Sequence, residues 1–278
     1  MNNIKPIKKI AVIHDLCCVG KAALTNVIPI LSVMGYEVCP IPTMLLSTHT
    51  GGFGKPSIIK TGSYLKEVTK HYKEIGLEFH GILIGYLGDK SLIEDVLCFV
   101  KEFKKDNTKV ILDPIFADNG KYYSNFDYNY MNSIRKLIEI SDVITPNYTE
   151  ACYLSLENYI DNPKDNDIKC ILDNISDIGC KNIVITSMVE NDINKISTLL
   201  YEDGSIEKFA TDKLEKSYPG TGDIFVSVLF GYLLKYENLS MATKEAVNFV
   251  FNVIKESNKY DYESKHGVLL EPSLKELL

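Results

Sequence analysis

The stretch Y-P-G-T-G-D-I-F, from Tyr218 to Phe225, carries the strongest structural signal in this sequence. Two glycines enclose a threonine, an aspartate follows at once, and an almost uninterrupted apolar run then extends from Ile224 to Leu234. Glycine permits backbone angles that other residues avoid, and an apolar run of this length is typical of a buried helix. The stretch therefore predicts a loop that turns into a buried helix, with Asp223 in its first turn.

The start of such a helix is a potential anion site. Its first amides have no partners within the helix, so the N–H groups of Gly220, Thr221 and Gly222 can hold a charged oxygen. A carboxylate repels a bound phosphate, so Asp223 needs a separate task. Removing a proton from an attacking hydroxyl during phosphoryl transfer is a task that fits. Helix capping by Thr221 or Asp223 is the simpler alternative, and this stretch alone does not separate the two.

Composition excludes several classes of protein. The chain has 278 residues, of which 45% are hydrophobic, and a formal net charge of -7. No block of five or more Lys or Arg residues occurs, which argues against nucleic-acid and anionic-membrane partners. No apolar run reaches the length of a transmembrane helix, and the polar segment from Met1 to Lys9 is not followed by a signal-peptide core. We therefore expect a cytoplasmic protein with a substantial core.

Short apolar runs alternate with helical patterns along the whole chain. The runs are continuously apolar, which is typical of parallel strands covered on both faces. We predict one α/β domain over residues 1–278, a three-layer fold with a mostly parallel central sheet and helices on both faces. The turn at 202–204 predicts a hairpin, and the tail 265–278 predicts an extended piece and a short helix. Parallel strands are predicted at 9–14, 37–47, 81–87, 109–112, 142–145 and 182–187.

Polar residues follow these predicted strands at their carboxyl ends. Ligands of open parallel sheets bind at that edge, so the sequence predicts a ligand cleft there. The residues in question are His14 and Asp15, Ser47 to Thr50, Gly85 and Tyr86, Asp113 and Asp118, Asn147 and Glu150, and Thr186 and Ser187.

The common nucleotide motifs do not occur in this chain. Gly20-Lys21 and Gly54-Lys55 lack the Walker A spacing and the Ser or Thr that follows its lysine. The glycine pair at 220–222 lacks the third glycine of a dinucleotide fingerprint. A P-loop enzyme and a Rossmann hydride enzyme are both disfavoured.

Five short motifs occur in a fixed order along the chain. They are S-T-H-T at 47–50, G-Y-L-G at 85–88, D-P-x-x-A-D at 113–118, T-P-N-Y-T-E at 145–150 and G-T-G-D-I-F at 220–225. Together they resemble the motifs of pyridoxal and pyridoxamine kinases of the ribokinase-like superfamily. G-T-G-D marks the superfamily, and the two segments S-T-H-T and G-Y-L-G narrow it to vitamin B6 kinases. The resemblance extends from Ile10 to about Leu270, and it implies the ribokinase-like fold and ATP-dependent phosphorylation of a B6 vitamer.

The resemblance implies catalytic roles for the helix-start stretch. Asp223 would be the catalytic base on the 5′-hydroxymethyl group of pyridoxal, pyridoxine or pyridoxamine, and Gly220, Thr221 and Gly222 would hold the γ-phosphate of ATP. Such roles agree with phosphoryl transfer, which depends on positioning and charge neutralisation more than on covalent chemistry.

The resemblance also implies how ATP and its metal are held. Asn147 and Glu150 would position Mg²⁺ through water, and Asp113 and Asp118 would lie near the phosphates and cations. Mg²⁺ prefers one or two carboxylates together with phosphate oxygens and waters, which these residues can provide. Thr186 and Ser187, with Gly222, would contact ATP. A monovalent cation such as K⁺ and a homodimer are further implications.

On the substrate side, the resemblance implies a pocket for the pyridine ring and a flap, residues 120–126, over the reacting groups. Many pyridoxal kinases have Ser where this chain has Asp15, which could accept a hydrogen bond from a protonated ring nitrogen. This departure leaves the preferred vitamer open, and an effect of Asp15 on it is a hypothesis. The expected pocket residues are His14, Asp15, Ser47, His49, Thr50 and Tyr86.

Other interpretations of the same residues stay open. Hydroxymethylpyrimidine kinase is the closest alternative, because its substrate is also a planar heterocycle with a CH₂OH group. A non-catalytic protein that binds a nucleotide or vitamer is an alternative of another class. Asp113 before Pro114 could simply end a strand, and Asn147 with Glu150 could be a turn followed by a helix-start carboxylate.

Overall fold

The computed structural model describes residues 7–190 and 192–278. Most of the polar N-terminal segment, on which the signal-peptide expectation rests, lies outside these residues. Within the described part of the chain, no helix is long and apolar enough to cross a membrane.

A nine-stranded sheet forms the centre of the molecule. The strands are β1 (Lys9–Cys17), β2 (Glu37–Leu46), β3 (Ile58–Lys60), β4 (Gly81–Ile84), β5 (Lys109–Leu112), β8 (Val143–Ile144), β9 (Asn182–Val189), β10 (Lys195–Glu202) and β11 (Ser205–Asp212), and a separate two-stranded ribbon consists of β6 (Ala117–Asp118) and β7 (Lys121–Tyr122). The helices are α1 (Leu24–Val33), α2 (Tyr64–Glu74), α3 (Leu92–Phe103), α4 (Tyr128–Ile138), α5 (Tyr148–Ser155), α6 (Asp165–Ile178), α7 (Thr221–Tyr236), α8 (Leu239–Ser257) and α9 (Leu270–Ser273).

The strand order is β11-β10-β9-β8-β5-β4-β1-β2-β3. The six strands β9, β8, β5, β4, β1 and β2 run parallel to one another. The strand β3 at one edge is antiparallel to β2, and at the other edge β10 is antiparallel to both β9 and β11. The predicted mostly parallel sheet is therefore confirmed. The predicted hairpin is also present, because β10 and β11 pair around the turn at Asp203 and Gly204.

Two apolar cores lie on opposite faces of this sheet. Ala11 and Ile13 of β1 pack into one core, against α2 to α6. Ile10 and Val12 of the same strand pack into the other, against α1, α7 and α8. Successive residues of a strand point to opposite faces, so a strand buried on both sides must be apolar throughout. This alternation explains the continuous apolar runs and confirms the three-layer α/β fold.

The structure departs from the predicted elements in three places. β1 continues to Cys17, so His14 and Asp15 lie inside this strand, beside a shift in its register with β2. The sequence predicts an end at His14, because the polar residues His14 and Asp15 are typical of the end of a strand. The tail forms two 3-10 turns and α9, with no strand among residues 265–278. The short strand β3 and the ribbon β6–β7 were not predicted.

Candidate active site

The start of α7 has the geometry that its sequence predicted. Gly220 precedes the helix with a φ of 80°. A Cβ atom there would lie 2.2 Å from the carbonyl oxygen of Lys21. Both the positive φ and this close approach therefore require glycine. A Cβ on Gly222 would meet nothing within 4 Å, which shows that this position faces open space. The first amides of α7 therefore border the cleft.

Both carboxylate oxygens of Asp223 have fixed partners. Oδ1 lies 3.1 Å from Nε2 of His14, and Oδ2 accepts a hydrogen bond of 2.6 Å from the backbone N–H of Ala23. The residue is 8% exposed, so little water competes for these contacts. Ala23 has a φ of 58°, in the left-handed region that non-glycine residues rarely occupy. The segment before α1 thus aims an amide at the carboxylate.

His14 lies between two acids. Its Nδ1 is 2.8 Å from Oδ1 of Asp15, and its Nε2 faces Asp223. Burial by itself lowers the pKa of this imidazole, but hydrogen bonds and charge from Asp15 and Asp223 outweigh that effect and raise the pKa to about 10. Both acids thus favour the protonated form of the ring. At 1% exposure it lies behind the surface of the cleft.

Asp113 and Glu150 form a second buried acidic pair. Burial, together with the charge of Asp223, raises the pKa of Asp113 to about 7, although His14 and Thr145 act in the opposite direction. Burial and the charge of Asp113 raise the pKa of Glu150 to about 8. The charge of Asp113 thus disfavours ionisation of Glu150, and a bound cation would relieve this repulsion.

The Glu150 and Asn147 side chains hold the start of α5. Oε2 of Glu150 accepts a hydrogen bond from the N–H of Asn147, while Oδ1 of Asn147 accepts one from the N–H of Glu150, which together form a capping box. Oε1 of Glu150 also accepts from the N–H of Phe116, and Nδ2 of Asn147 donates to the carbonyl oxygen of Ala117. The Asn147 amide is thus fully engaged within the protein.

A cavity of about 410 Å³ joins these groups. It brings the predicted nucleotide, metal and catalytic residues together at the carboxyl edge of the sheet. Its polar lining includes Asp113, Asp118, Asn147, Glu150, Thr186, Ser187, Gly220, Thr221, Gly222 and Asp223.

A second cavity of about 260 Å³ adjoins the first. The two share Thr186, Ser187 and the start of α7, but the second is lined largely by apolar side chains from β10, β11 and α8. Phe209, Val250 and Phe251 are among them, and Phe225 of α7 lines both cavities. An acidic cavity beside an apolar one provides separate places for a phosphate chain with its cation and for a planar ring.

The ribbon β6–β7 and the residues after it cover one side of the acidic cavity. Asp118 lies in this ribbon, where its carboxylate accepts hydrogen bonds from Asn119. Burial raises the pKa of Asp118 despite the Asn119 backbone hydrogen bond. Tyr123 lines the cavity, and burial and the surrounding carboxylates raise its pKa. The position of these residues fits the predicted flap at 120–126.

Some predicted substrate residues lie near the carboxylate of Asp15. Oδ2 of Asp15 accepts a hydrogen bond of 3.1 Å from Sγ of Cys17. Burial raises the pKa of Tyr86 to about 12, with smaller contributions from the charges of Asp15 and Cys17, and its ring packs against the cluster that contains Cys17. The hydroxyl of Tyr86 accepts a hydrogen bond of 2.8 Å from Nδ2 of Asn125 in the flap.

The S-T-H-T segment lies apart from these contacts. Nε2 of His49 contacts the carbonyl oxygen of Lys265 at 2.7 Å, and Nδ1 accepts from the N–H of Gly51, so its ring holds the glycine loop against the C-terminal segment. Ser47 is exposed and accepts from the N–H of Ser57. Thr50 is exposed. The structure shows no contact between these three residues and the Asp15 carboxylate.

Sequence patterns missed four groups of this cleft. They are the Ala23 amide, the Asn26 side chain that binds the Gly220 carbonyl, the Cys17 thiol and the Asn125 amide. Cys17 lies at the end of β1, three residues beyond the predicted strand, and Asn125 lies in the predicted flap without any pattern that singles out its side chain. The contacts of Ala23, Asn26 and Asn125 join segments that are distant in sequence.

The fold and the cleft together fit a class of protein, the α/β kinases that lack a phosphate-binding loop of the Walker A type. The chain belongs to the phosphomethylpyrimidine kinase family, because its residues 63–269 match that family.

Three relatives illustrate the similarity. A Bacteroides thetaiotaomicron protein provisionally assigned as a phosphomethylpyrimidine kinase is 37% identical, with a TM-score of 0.94 over 100% of this chain and 96% of that chain. Pyridoxal kinase from Lactobacillus plantarum is 29% identical, with a TM-score of 0.91 over 98% and 97% of the two chains. Pyridoxal kinase of Dictyostelium discoideum is 28% identical over 267 residues, 90% of this chain and 86% of the relative. The resemblance to B6 kinases is confirmed.

Proposed function

We propose that this protein transfers the γ-phosphoryl group of ATP to the 5′-hydroxymethyl group of a B6 vitamer. The observation that carries the proposal is the Asp223 carboxylate, which is held at both oxygens and lines the acidic cavity beside the first amides of α7. The names of the relatives point to the substrate, and a crystal form of the Bacteroides protein, 38% identical to this chain, contains pyridoxal.

The two adjoining cavities support the proposed binding of ATP. The adenine ring would occupy the apolar cavity between β10, β11 and α8. The phosphates would extend along Thr186 and Ser187 toward the amides of Gly220 to Gly222, where a helix N-terminus stabilises negative charge. Asp223 would accept the proton of the attacking hydroxyl at that point.

Asp113 and Glu150 fit a divalent cation. Their carboxylates are buried at one cavity, and the repulsion between them is what a cation would relieve. No cluster of three or more His, Cys, Asp or Glu side chains in the described ranges 7–190 and 192–278 could hold a metal by itself. We propose Mg²⁺, with phosphate oxygens and water as further ligands. When bound, Mg²⁺ neutralises phosphate charge. The carboxylate of Asp118, which also lines the cavity, would attract the cation.

The Asn147 amide serves this site through α5. Because both of its polar atoms are hydrogen-bonded within the protein, we propose that it orients Glu150 and the start of that helix. We retain from the resemblance a monovalent cation such as K⁺, a homodimer and a cytoplasmic location. Light scattering at several protein concentrations would test the dimer.

The substrate end of the cleft contains Asp15, Cys17 and Tyr86. A carboxylate at position 15 favours a substrate that brings a cation or a hydrogen-bond donor, such as a protonated ring nitrogen or an amine. We therefore expect Asp15→Ser to change the ranking of pyridoxal, pyridoxine and pyridoxamine by kcat/KM. An unchanged ranking would show that Asp15 does not select the vitamer.

Turnover with ATP, Mg²⁺ and each vitamer tests the proposed function, with hydroxymethylpyrimidine as a competing substrate. Asp223→Ala should lower kcat by about 10²–10⁴-fold, the usual contribution of a general base, and leave ATP binding by calorimetry nearly intact. The exposed Asp106→Ala serves as the control. Preference for hydroxymethylpyrimidine would identify the alternative substrate, and an active Asp223→Ala protein would refute the assignment of the base.

A further inference from the structure

A buried histidine connects two carboxylates of the cleft. Nε2 of His14 lies 3.1 Å from Oδ1 of Asp223, and Nδ1 lies 2.8 Å from Oδ1 of Asp15. The imidazole is 1% exposed, and both of its nitrogen atoms are engaged by these acids. Since the ring has no further hydrogen-bonding atom, it has none left for a substrate. Its effect on catalysis must therefore act through its two neighbours.

Gly85 provides the space for this imidazole. A Cβ atom at position 85 would lie 2.1 Å from Cδ2 and 2.4 Å from Nε2 of His14, well inside contact distance. Gly85 lies outside the left-handed region, so its backbone conformation does not require glycine. Its N–H donates to the carbonyl oxygen of Ile13, which places the residue directly beside β1. The glycine is thus matched to the ring that packs on it.

We propose that His14 is a positioning residue that holds the catalytic carboxylate of Asp223 through its Nε2–H. Together with the N–H of Ala23 on Oδ2, this contact fixes both carboxylate oxygens before any substrate arrives. The remaining lone pairs of Asp223 stay available to the hydroxyl of the substrate. The inference rests on the proposed phosphoryl transfer, and it assigns a task to a residue that the sequence placed in the substrate pocket.

The charges around the ring agree with this role. Carboxylates on both sides of the ring favour its protonated form, and the N–H of Asp15 also lies 2.9 Å from Nδ1. The raised pKa of His14, about 10, points in the same direction. The ring also opposes the rise in the pKa of Asp113, so its charge reaches that carboxyl group as well. Removing the imidazole leaves Asp15 and Asp223 without the cation between them.

Two substitutions of His14 separate positioning from a merely structural role. His14→Ala removes both contacts. His14→Gln retains one donor, because an extended glutamine amide can reach the former place of Nε2 and donate to Asp223. Misplacing a reacting group by about 1 Å costs about 10²-fold in rate. We expect kcat of His14→Ala to fall about 10²-fold and His14→Gln to regain about 10-fold or more of that loss, with KM for ATP nearly constant in both.

Gly85→Ala tests the same contact while His14 stays in place. The added methyl group should displace the imidazole from Asp223 and lower kcat by about 10-fold or more, in line with the cost of misplacement. In a His14→Ala background the same methyl group has no ring to displace and should change kcat by less than about 3-fold. The effects of the two substitutions would then be non-additive, as is expected for residues in contact. The exposed His71→Ala serves as the control.

The outcomes distinguish this inference from the proposed function. A wild-type protein without activity on any vitamer refutes the proposed function itself. An active wild type whose His14→Ala variant keeps kcat within about 3-fold, or whose His14→Gln variant regains nothing, refutes the positioning role. If His14→Ala does not fold, as judged by circular dichroism, His14→Gln and Gly85→Ala decide, and wild-type kcat in folded Gly85→Ala overturns the inference.

Discussion

Asn26 donates a hydrogen bond of 3.1 Å from its side-chain Nδ2 to the carbonyl oxygen of Gly220. The same Nδ2 donates to the carbonyl oxygen of Lys21 at 2.7 Å. Asn26 lies in the first turn of α1 and is fully buried, so this amide joins the segment before α1 to the loop before α7. One side chain thus ties the segment that contains Ala23 to the start of α7.

Replacing Asn26 by Ala should therefore affect both stability and activity. Two carbonyl groups lose their buried donor, which costs about 1–3 kcal/mol for each group left unsatisfied. The two segments are no longer tied together, so kcat should fall as well. Thermal unfolding and steady-state kinetics measure the two effects, and the exposed Asn132→Ala is the control. Wild-type stability in Asn26→Ala would show that the contact contributes nothing.

Gly220→Ala offers a prediction with a closely matched control. Gly220 and Gly204 have nearly equal φ angles, 80° and 84°, but a Cβ on Gly204 meets nothing within 4 Å. Both substitutions incur the cost of a left-handed alanine, about 1–2 kcal/mol. Only Gly220→Ala adds a clash with the Lys21 carbonyl, so we expect it to be the less stable protein and to lose most of its turnover. Equal melting temperatures would contradict the clash.

The sequence predicted the fold well because its signals are local. Continuous apolar runs mark the parallel strands, and these signals depend only on neighbouring residues. Polar residues at the strand ends then identified the cleft edge without any long-range information. The boundary of β1 was the main failure near the site, since its final residues, His14 to Cys17, include two polar side chains inside a strand.

Pairwise contacts within the site were beyond the reach of the sequence. His14 and Asp223 are 209 residues apart, and Asn26 and Gly220 are 194 apart. The pattern places both members of each pair near one edge of the sheet, but side-chain directions depend on packing that no local pattern encodes. For that reason the sequence assigned His14 to a substrate pocket, whereas the structure buries it between two carboxylates.

The acidic pair predicts how stability depends on pH without metal. The pKa of Asp113 is raised to about 7 and that of Glu150 to about 8, so the folded protein retains protons that the unfolded chain releases. This contribution to stability is complete below the ordinary pKa values, near 4, and is lost as pH rises through about 7 to 8. We expect the free energy of unfolding to fall between about pH 5 and 6.5.

Asp113→Asn tests this origin of the pH dependence. The substitution removes one of the two raised carboxyl groups and the charge that acts on Glu150, so the fall between about pH 5 and 6.5 should shrink by roughly half or more. Exposed Asp106→Asn is the control. Mg²⁺ with ATP should stabilise the wild type more as pH rises, because metal binding requires ionised ligands. An unchanged slope in Asp113→Asn would contradict the assignment.

A hydrogen bond joins the segment 120–126, the predicted flap, to Tyr86 at the proposed substrate end of the cleft. Nδ2 of Asn125 donates to the hydroxyl of Tyr86 at 2.8 Å, and the ring of Phe126 lies 5.4 Å from that of Tyr86. Tyr86→Phe removes the acceptor, and Asn125→Ala removes the donor. A hydrogen bond of this kind contributes about 0.5–1.5 kcal/mol, so either variant should raise KM for the vitamer by about 2–10-fold and leave KM for ATP unchanged.

The double variant shows whether the flap contact is the whole effect of Tyr86. If both single variants act only by releasing the flap, their combination should be no worse than either alone, because the same hydrogen bond is removed in each case. A Tyr86→Phe effect that exceeds that of Asn125→Ala would show that the hydroxyl also contacts the vitamer. Strict additivity of the two single effects would contradict a shared contact and would indicate that Asn125 and Tyr86 act on the substrate independently.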